Sequence, residues 1–153
     1  MDPASLATSS TNLVDTCTKV LGCISTFINK SQSVDTAIHI LEFEINSLAR
    51  VLRSIAQSFS DPPIASGALQ AHTGHEQRYW RTVTKAIDEC NATLTHLART
   101  LEKAVEKGAA GNSWLWGNKG IKLSMSSRDL DLLKHQVEAY RQTMQLAVHM
   151  ITL

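Results

Sequence analysis

The feature that most constrains this chain is a set of apolar stripes that step by four and three residues. One runs Val34, Ile38, Leu41, Ile45, Leu48, Leu52, Ile55 and Phe59; another runs Trp80, Val83, Ile87, Cys90, Leu94, Leu97, Leu101 and Ala104. A third runs Leu130, Leu133, Val137, Tyr140, Met144, Ala147 and Ile151. Nearer the amino end lie Leu13, Cys17, Val20, Ile24 and Phe27, broadened by Leu6, Val14, Leu21 and Ile28. Steps of this kind keep side chains on one side of an α-helix. Stripes sustained this long favour helices that bury one face against neighbours at shallow crossing angles. The expected fold is all-α: an antiparallel, up-down four-helix bundle forming a single domain over residues 1–153. Helices are predicted at about 3–30, 33–60, 75–107 and 126–151.

Composition supports that reading. At 43% hydrophobic and 19% charged residues, the chain can build a core. Seven glycines and three prolines are too few for the closely spaced turns of a sandwich or barrel. A net charge of +1 gives no support to a dedicated nucleic-acid binder, and no nucleic acid is expected as a partner.

Punctuation falls between the stripes. Asp2 can cap the first helix, with Pro3 at its first position. Ser31-Gln32-Ser33 separates the first two helices, and Ser33 is a candidate cap. Pro62-Pro63 stops the second. Thr73-Gly74-His75-Glu76 fits a capping box before the third, Gly108 suits its C-terminal cap, and Ser126 with Asp129 resembles a box before the fourth. Two long links remain, 61–74 and 108–125, the second rich in glycine and tryptophan.

Cys17, Cys23 and Cys90 have no CxxC spacing and read as small buried hydrophobes in a reducing compartment. The amino end has neither a basic n-region nor an apolar h-region, so no secretory signal is expected. Asp2 stands where myristoylation needs glycine, and Ile151-Thr152-Leu153 is not a prenylation box. His72 and His75, with Glu76 beside them, form an H-x-x-H that lacks the zincin pattern and reads as a solvent loop. His96 and His135 fall on flanking or exposed helix faces, and Cys90 lies on a seam, as a core thiol rather than a nucleophile. No Gly-rich loop follows a strand and no Ser-His-Asp set assembles. The expectation is therefore no enzyme, no cofactor and no metal.

The first helix and the second link carry more information. On a helical wheel, Leu6, Leu13, Val14, Cys17, Val20, Leu21, Ile24, Phe27 and Ile28 fill an arc of about 140°, with Asp15 and Lys19 opposite. Leu6 to Ile28 is about 34 Å of helix, against a hydrocarbon core of about 30 Å. Spanning alone would bury Asp15 and Lys19 at roughly 2.5–3.5 kcal/mol each, less whatever an i,i+4 pair between them recovers. Spanning as one stave of an oligomer, with Asp15 and Lys19 on a polar lumen, is allowed. The alternative is that this is simply an outer helix of the bundle. In the link, Trp114 and Trp116 followed by Lys119 and Lys122 have the composition of a membrane interface. From Arg99 to Lys122 there are five basic and two acidic residues. The alternative is that the tryptophans plug the open end of the bundle.

Three stretches carry a family resemblance. They are the opening Met1-Asp2-Pro3, with Ser5-Leu6-Ala7; Leu41-Glu42-Phe43-Glu44-Ile45-Asn46-Ser47-Leu48-Ala49-Arg50-Val51-Leu52; and Trp80 followed by Ile87-Asp88-Glu89-Cys90-Asn91-Ala92-Thr93-Leu94 and Leu97. Together they resemble the HeLo-like N-terminal domain of fungal STAND proteins, the NOD-like receptors of fungi. The likeness spans nearly the whole chain and rests on apolar patterning. It implies a four-helix bundle akin to the HeLo domain, to coiled-coil domains of plant immune receptors and to the bundle of the mixed-lineage kinase-like pseudokinase. It also implies an effector of programmed cell death in fungal innate immunity and heterokaryon incompatibility. Such an effector is cytoplasmic at rest. When an upstream sensor or receptor module is triggered, it homo-oligomerises and permeabilises the plasma membrane, meeting anionic lipids through an N-terminal helix, here residues 3–30. Asp15 and Lys19 depart from a segment that is often more uniformly apolar in that family, which favours an amphipathic reading. Ending at Leu153, where the family continues, the chain is expected to be a domain excised from a longer receptor. The alternative function is a cytosolic oligomerisation or docking module that recruits a partner through residues such as Glu42, Arg50 and Arg53, without entering membrane.

Overall fold

The computed structural model describes residues 3–30, 36–60, 74–110 and 127–152, all of them helical. α1 spans Pro3–Lys30, α2 Thr36–Ser60, α3 Gly74–Ala110 and α4 Ser127–Thr152. These are the four predicted helices, and the all-α bundle is the fold. Asp2, Ser33, Val34, Pro62, Pro63, His72, Thr73 and Ser126 lie outside the described residues, so the caps and stops assigned to them do too. One boundary differs. The sequence predicts Gly108 just beyond the third helix, but α3 continues through Ala109 to Ala110. Alanine is the strongest helix former, so the two that follow add no cost to the roughly 1 kcal/mol penalty of a glycine inside a helix.

The stripes predicted from the sequence are the core. From Ile38 to Phe59 in α2, and from Trp80 to Ala104 in α3, every stripe residue is buried. In α4, Leu130, Leu133, Val137, Met144 and Ala147 are buried and Tyr140 packs half-buried against them. Threonine-rich helices need their hydroxyls satisfied locally. Thr11, Thr18, Thr82, Thr93 and Thr143 each donate to the carbonyl one turn back, at 2.9–3.1 Å.

Lateral order is less obvious than the helix count. α1 packs extensively on both α2 and α3, and α2 packs extensively on α4, whereas α3 meets α4 sparingly. Around the bundle the order is α3, α1, α2, α4, closed by a thin α3–α4 seam. Bridging contacts set the directions. Thr16 of α1 meets Asn91 of α3, and Lys19 and Cys23 further along meet Glu102, so these two helices run the same way. Tyr79 near the start of α3 reaches Thr143 late in α4, so those two run oppositely. Phe59, at the end of α2, packs edge-on against Trp80 near the start of α3, with ring centroids 5.3 Å apart. The chain thus leaves α2 and enters α3 at one end of the bundle. Direction alternates along the sequence, as an up-down bundle requires, while the α1–α3 and α2–α4 neighbours are parallel. The arrangement makes α1 and α2 the inner pair and α3 and α4 the outer pair.

Candidate functional site

α1 is where the sequence points, and its geometry follows from that inner position. Leu6, Leu13, Cys17, Val20, Ile24 and Phe27 are all buried. Val14, Leu21 and Ile28 are half-buried against the core along the flanks of that line. The apolar arc is enclosed between α2 and α3. Its four-three stepping passes through one polar residue that the sequence reading overlooked: Ser10, which is 0% exposed. Its hydroxyl has no hydrogen-bond partner among the described residues. The register Leu6, Ser10, Leu13, Cys17 would have revealed it as a seam position, but a stripe defined by apolar residues skips a serine.

Asp15 and Lys19 are exposed on the opposite face. Lys19 turns to α3, with its Nζ 3.8 Å from Glu102 Oε1, rather than to Asp15. The Cys23 thiol donates to the same oxygen at 3.7 Å. A third link between α1 and α3 is the Thr16 hydroxyl, 2.6 Å from Asn91 Oδ1 and 3.1 Å from the Asn12 carbonyl. One hydroxyl hydrogen serves one of these acceptors at a time. All three contacts are at the surface, so each adds little, typically under about 1 kcal/mol. What fixes α1 is the buried apolar line beneath them.

The thiols are chemically quiet. Burial pushes Cys17 up to about 12, against a smaller opposing influence of Arg53. Cys90 is raised further, by burial first and then by Cys17 across the α1–α3 interface. Cys23 is raised by burial and by Glu102. Thiolates are the nucleophilic form, so none of these environments activates a cysteine. No group of three or more metal-ligating side chains forms among the described residues. His96 is exposed. His135 is exposed too, with Asp131 at 3.4 Å and Glu138 at 3.8 Å on its own helix. His72, Trp114, Trp116, Lys119 and Lys122 lie outside the described residues, as do the side chains of His75 and Glu76.

Large apolar side chains that the core does not use lie on α2 and α4. Phe43 is 63% exposed and Ile40 40% on α2; Leu132 is 55% exposed and Leu146 54% on α4. Sequence reasoning missed these because they fall outside the stripes that mark the core. Arg50 and Arg53 are exposed on α2, and Glu42 is half-buried. Beside this face Glu44 accepts a hydrogen bond from Arg141 Nε at 3.1 Å, and both side chains are largely buried. That pair ties α2 to α4.

No described helix is long and apolar enough to cross a membrane. Compared with known protein families, curated proteins and solved structures, the chain matches none. The class defined by the described residues is a four-helix bundle.

Proposed function

We infer that the chain is a non-catalytic helical docking module, working through the outer faces of the bundle with α1 held as part of its frame. The observation carrying this reading is the division of apolar surface. The α1 ribbon is enclosed by two helices, while Phe43, Ile40, Leu132 and Leu146 face outward. Fully burying one such side chain contributes about 1.5–3 kcal/mol, so extracting the α1 line forfeits roughly 10 kcal/mol or more. A domain of this size has roughly 5–15 kcal/mol in total. Releasing α1 without replacing its contacts therefore amounts to unfolding.

Membrane permeabilisation by α1 is the second reading. It is favoured by the helix's low charge, since Asp15, Lys19 and Lys30 are its only ionisable side chains apart from the cysteines, and by the resemblance to HeLo-like domains. The two readings separate when α1 is tethered. Thr16→Cys and Asn91→Cys, joined by a short bis-maleimide in a Cys23→Ser background, fix α1 to α3. The measurement is dye release from phosphatidylcholine–phosphatidylserine vesicles. The docking reading expects no release from either form. Release by the untethered chain that the tether abolishes would overturn it and establish the membrane reading.

A further inference from the structure

We propose that the outward face of α2 receives an acidic helical segment of another protein, with Phe43 as the apolar anchor and Arg50 and Arg53 as the paired cations. The proposal rests on the docking reading above and names the class of partner. Phe43 and Arg50 lie seven residues apart on one line along α2, and Arg53 stands about one turn further on. All three are exposed.

The pointer to such a partner is positive charge without counter-charge. Arg50 and Arg53 are neighbours at i,i+3, where like charges repel, and no residue one turn before or after either of them is acidic. α2 holds two carboxylates: Glu44 is bonded to Arg141, and Glu42 is half-buried, about two turns from Arg50. Neighbouring helices supply no answer. α4 runs parallel to α2 with Arg141 beside Glu44, so the stretch of α4 alongside the arginines is the one after Arg141, and it contains no acid. α1 brings a single carboxylate, Asp15. Neither arginine forms an ion pair with it or with any other described residue. Among the described helices, α2 alone has exposed cations and no exposed carboxylate. Charge complementarity therefore calls for an anionic partner. A lipid surface would need a continuous apolar stripe, but beyond Phe43 and Ile40 the outward face of α2 is polar, with Asn46, Ser54 and Gln57. A discrete protein segment fits better, since aromatic and arginine side chains are the usual energetic centres of protein interfaces. Carboxylates three or four residues apart on a partner helix match the spacing of the two arginines, and a leucine two turns away meets Phe43. Acids are favoured in the first turn of a helix, so the partner lays its N-terminal end over Arg50 and Arg53 and runs antiparallel to α2. One helix-on-helix contact buries less than the about 800 Å² per partner of a standard interface, so binding is weak, with a dissociation constant of roughly 10⁻⁴ M.

The test titrates the full chain with a capped helical peptide that carries a pair of glutamates in its first turn and leucines two turns on. Nuclear magnetic resonance follows the arginine Nε–H groups and the α2 amides. Shifts should centre on Phe43, Arg50 and Arg53, with a dissociation constant of roughly 10⁻⁴ M. The same peptide with glutamine for glutamate should bind at least about tenfold more weakly. Arg50→Gln/Arg53→Gln and, separately, Phe43→Ser should each weaken the glutamate peptide by a similar factor, with helical circular dichroism unchanged. Added salt should weaken the glutamate peptide and leave the glutamine one unaffected. Equal binding of the two peptides, or no shifts with the glutamate peptide up to about 2 mM, overturns the proposal. So does binding to phosphatidylserine vesicles that needs Phe43 and both arginines while the peptide does not bind, an outcome that assigns the face to lipid. A failed peptide titration without vesicle leakage leaves the docking reading standing on the other outward faces, whereas leakage blocked by the α1 tether removes that reading as well.

Discussion

From Leu6 to Phe27, seven seam positions of α1 lie between two helices and are all buried. Across the bundle, the α3–α4 seam keeps Leu97 and Leu133 buried, yet Leu132, one residue away, is more than half exposed and lines an open cleft. Both seams are built mainly from apolar side chains. The difference is position in the lateral order: α1 has a packed neighbour on each side, whereas α3 and α4 each have one extensive neighbour and one sparse one. The line that α1 turns inward is covered from two directions, whereas beside the sparse α3–α4 seam one flank of α4 stays open at Leu132.

The largest expected effect breaks this comparison directly. Val20→Asp places an unpaired charge in the α1 seam and should destabilise the bundle by about 4 kcal/mol or more, enough to unfold it. Leu132→Asp, on the free flank, should change stability by no more than about 0.5 kcal/mol. Urea titrations followed by circular dichroism read both. A Val20→Asp variant that keeps α2, α3 and α4 folded while α1 alone detaches would mean that α1 is a removable element, and the contrast between the seams would collapse.

A smaller effect comes from pH. Cys17 and Cys90 face each other across α1 and α3, and both have folded pKa values raised by burial. A raised thiol pKa leaves stability intact below the unfolded value of about 8.5. Above it the unfolded chain ionises first, and stability falls by about 1.4 kcal/mol per pH unit per thiol until the folded pKa is reached. The α3–α4 seam has Tyr79 instead, pushed up to about 12 by burial, so its loss begins only above about pH 10. Between about pH 8.5 and 10 the parent should lose stability faster than Cys17→Ala/Cys90→Ala, read by urea titration at each pH. Equal pH slopes in the two proteins would show that these thiols are not closed off in the folded state.

Helix positions were legible because burial on one side forces a period. The stripes from Ile38 to Phe59 and from Trp80 to Ala104 are core residue by residue. Lateral order was not legible, because a four-three stripe says which face is buried and not which helix covers it. Glu44 and Arg141 are distant in sequence and neither lies on a stripe, yet they join α2 to α4. The membrane-facing role expected of α1 drew on its amphipathic arc and on the HeLo-like resemblance, and the arc by itself is equally required of a helix enclosed by two neighbours. Phe43 and Leu146 lie off the core stripes, and a search for the buried period passes over them.

Ser10 gives the smallest and most local test. The α1 seam is closed along its length, but at this position it encloses a hydroxyl without a partner among the described residues. Thr11, beside it, donates to the Ala7 carbonyl at 2.9 Å, so the backbone there can serve a side chain when the rotamer allows. Leaving a buried hydroxyl unsatisfied costs about 1–3 kcal/mol, and removing it also sacrifices a little packing. Ser10→Ala should therefore stabilise the bundle by about 1 kcal/mol. Hydrogen exchange of the amides from Leu6 to Leu13 should slow about fivefold where opening is local to that end of α1. A loss of stability instead would mean that the hydroxyl is satisfied in solution, for instance by the Leu6 carbonyl one turn back. The amino-terminal turns of α1 would then be as firmly closed as the stretch from Cys17 to Phe27, and the seam would have no weak end.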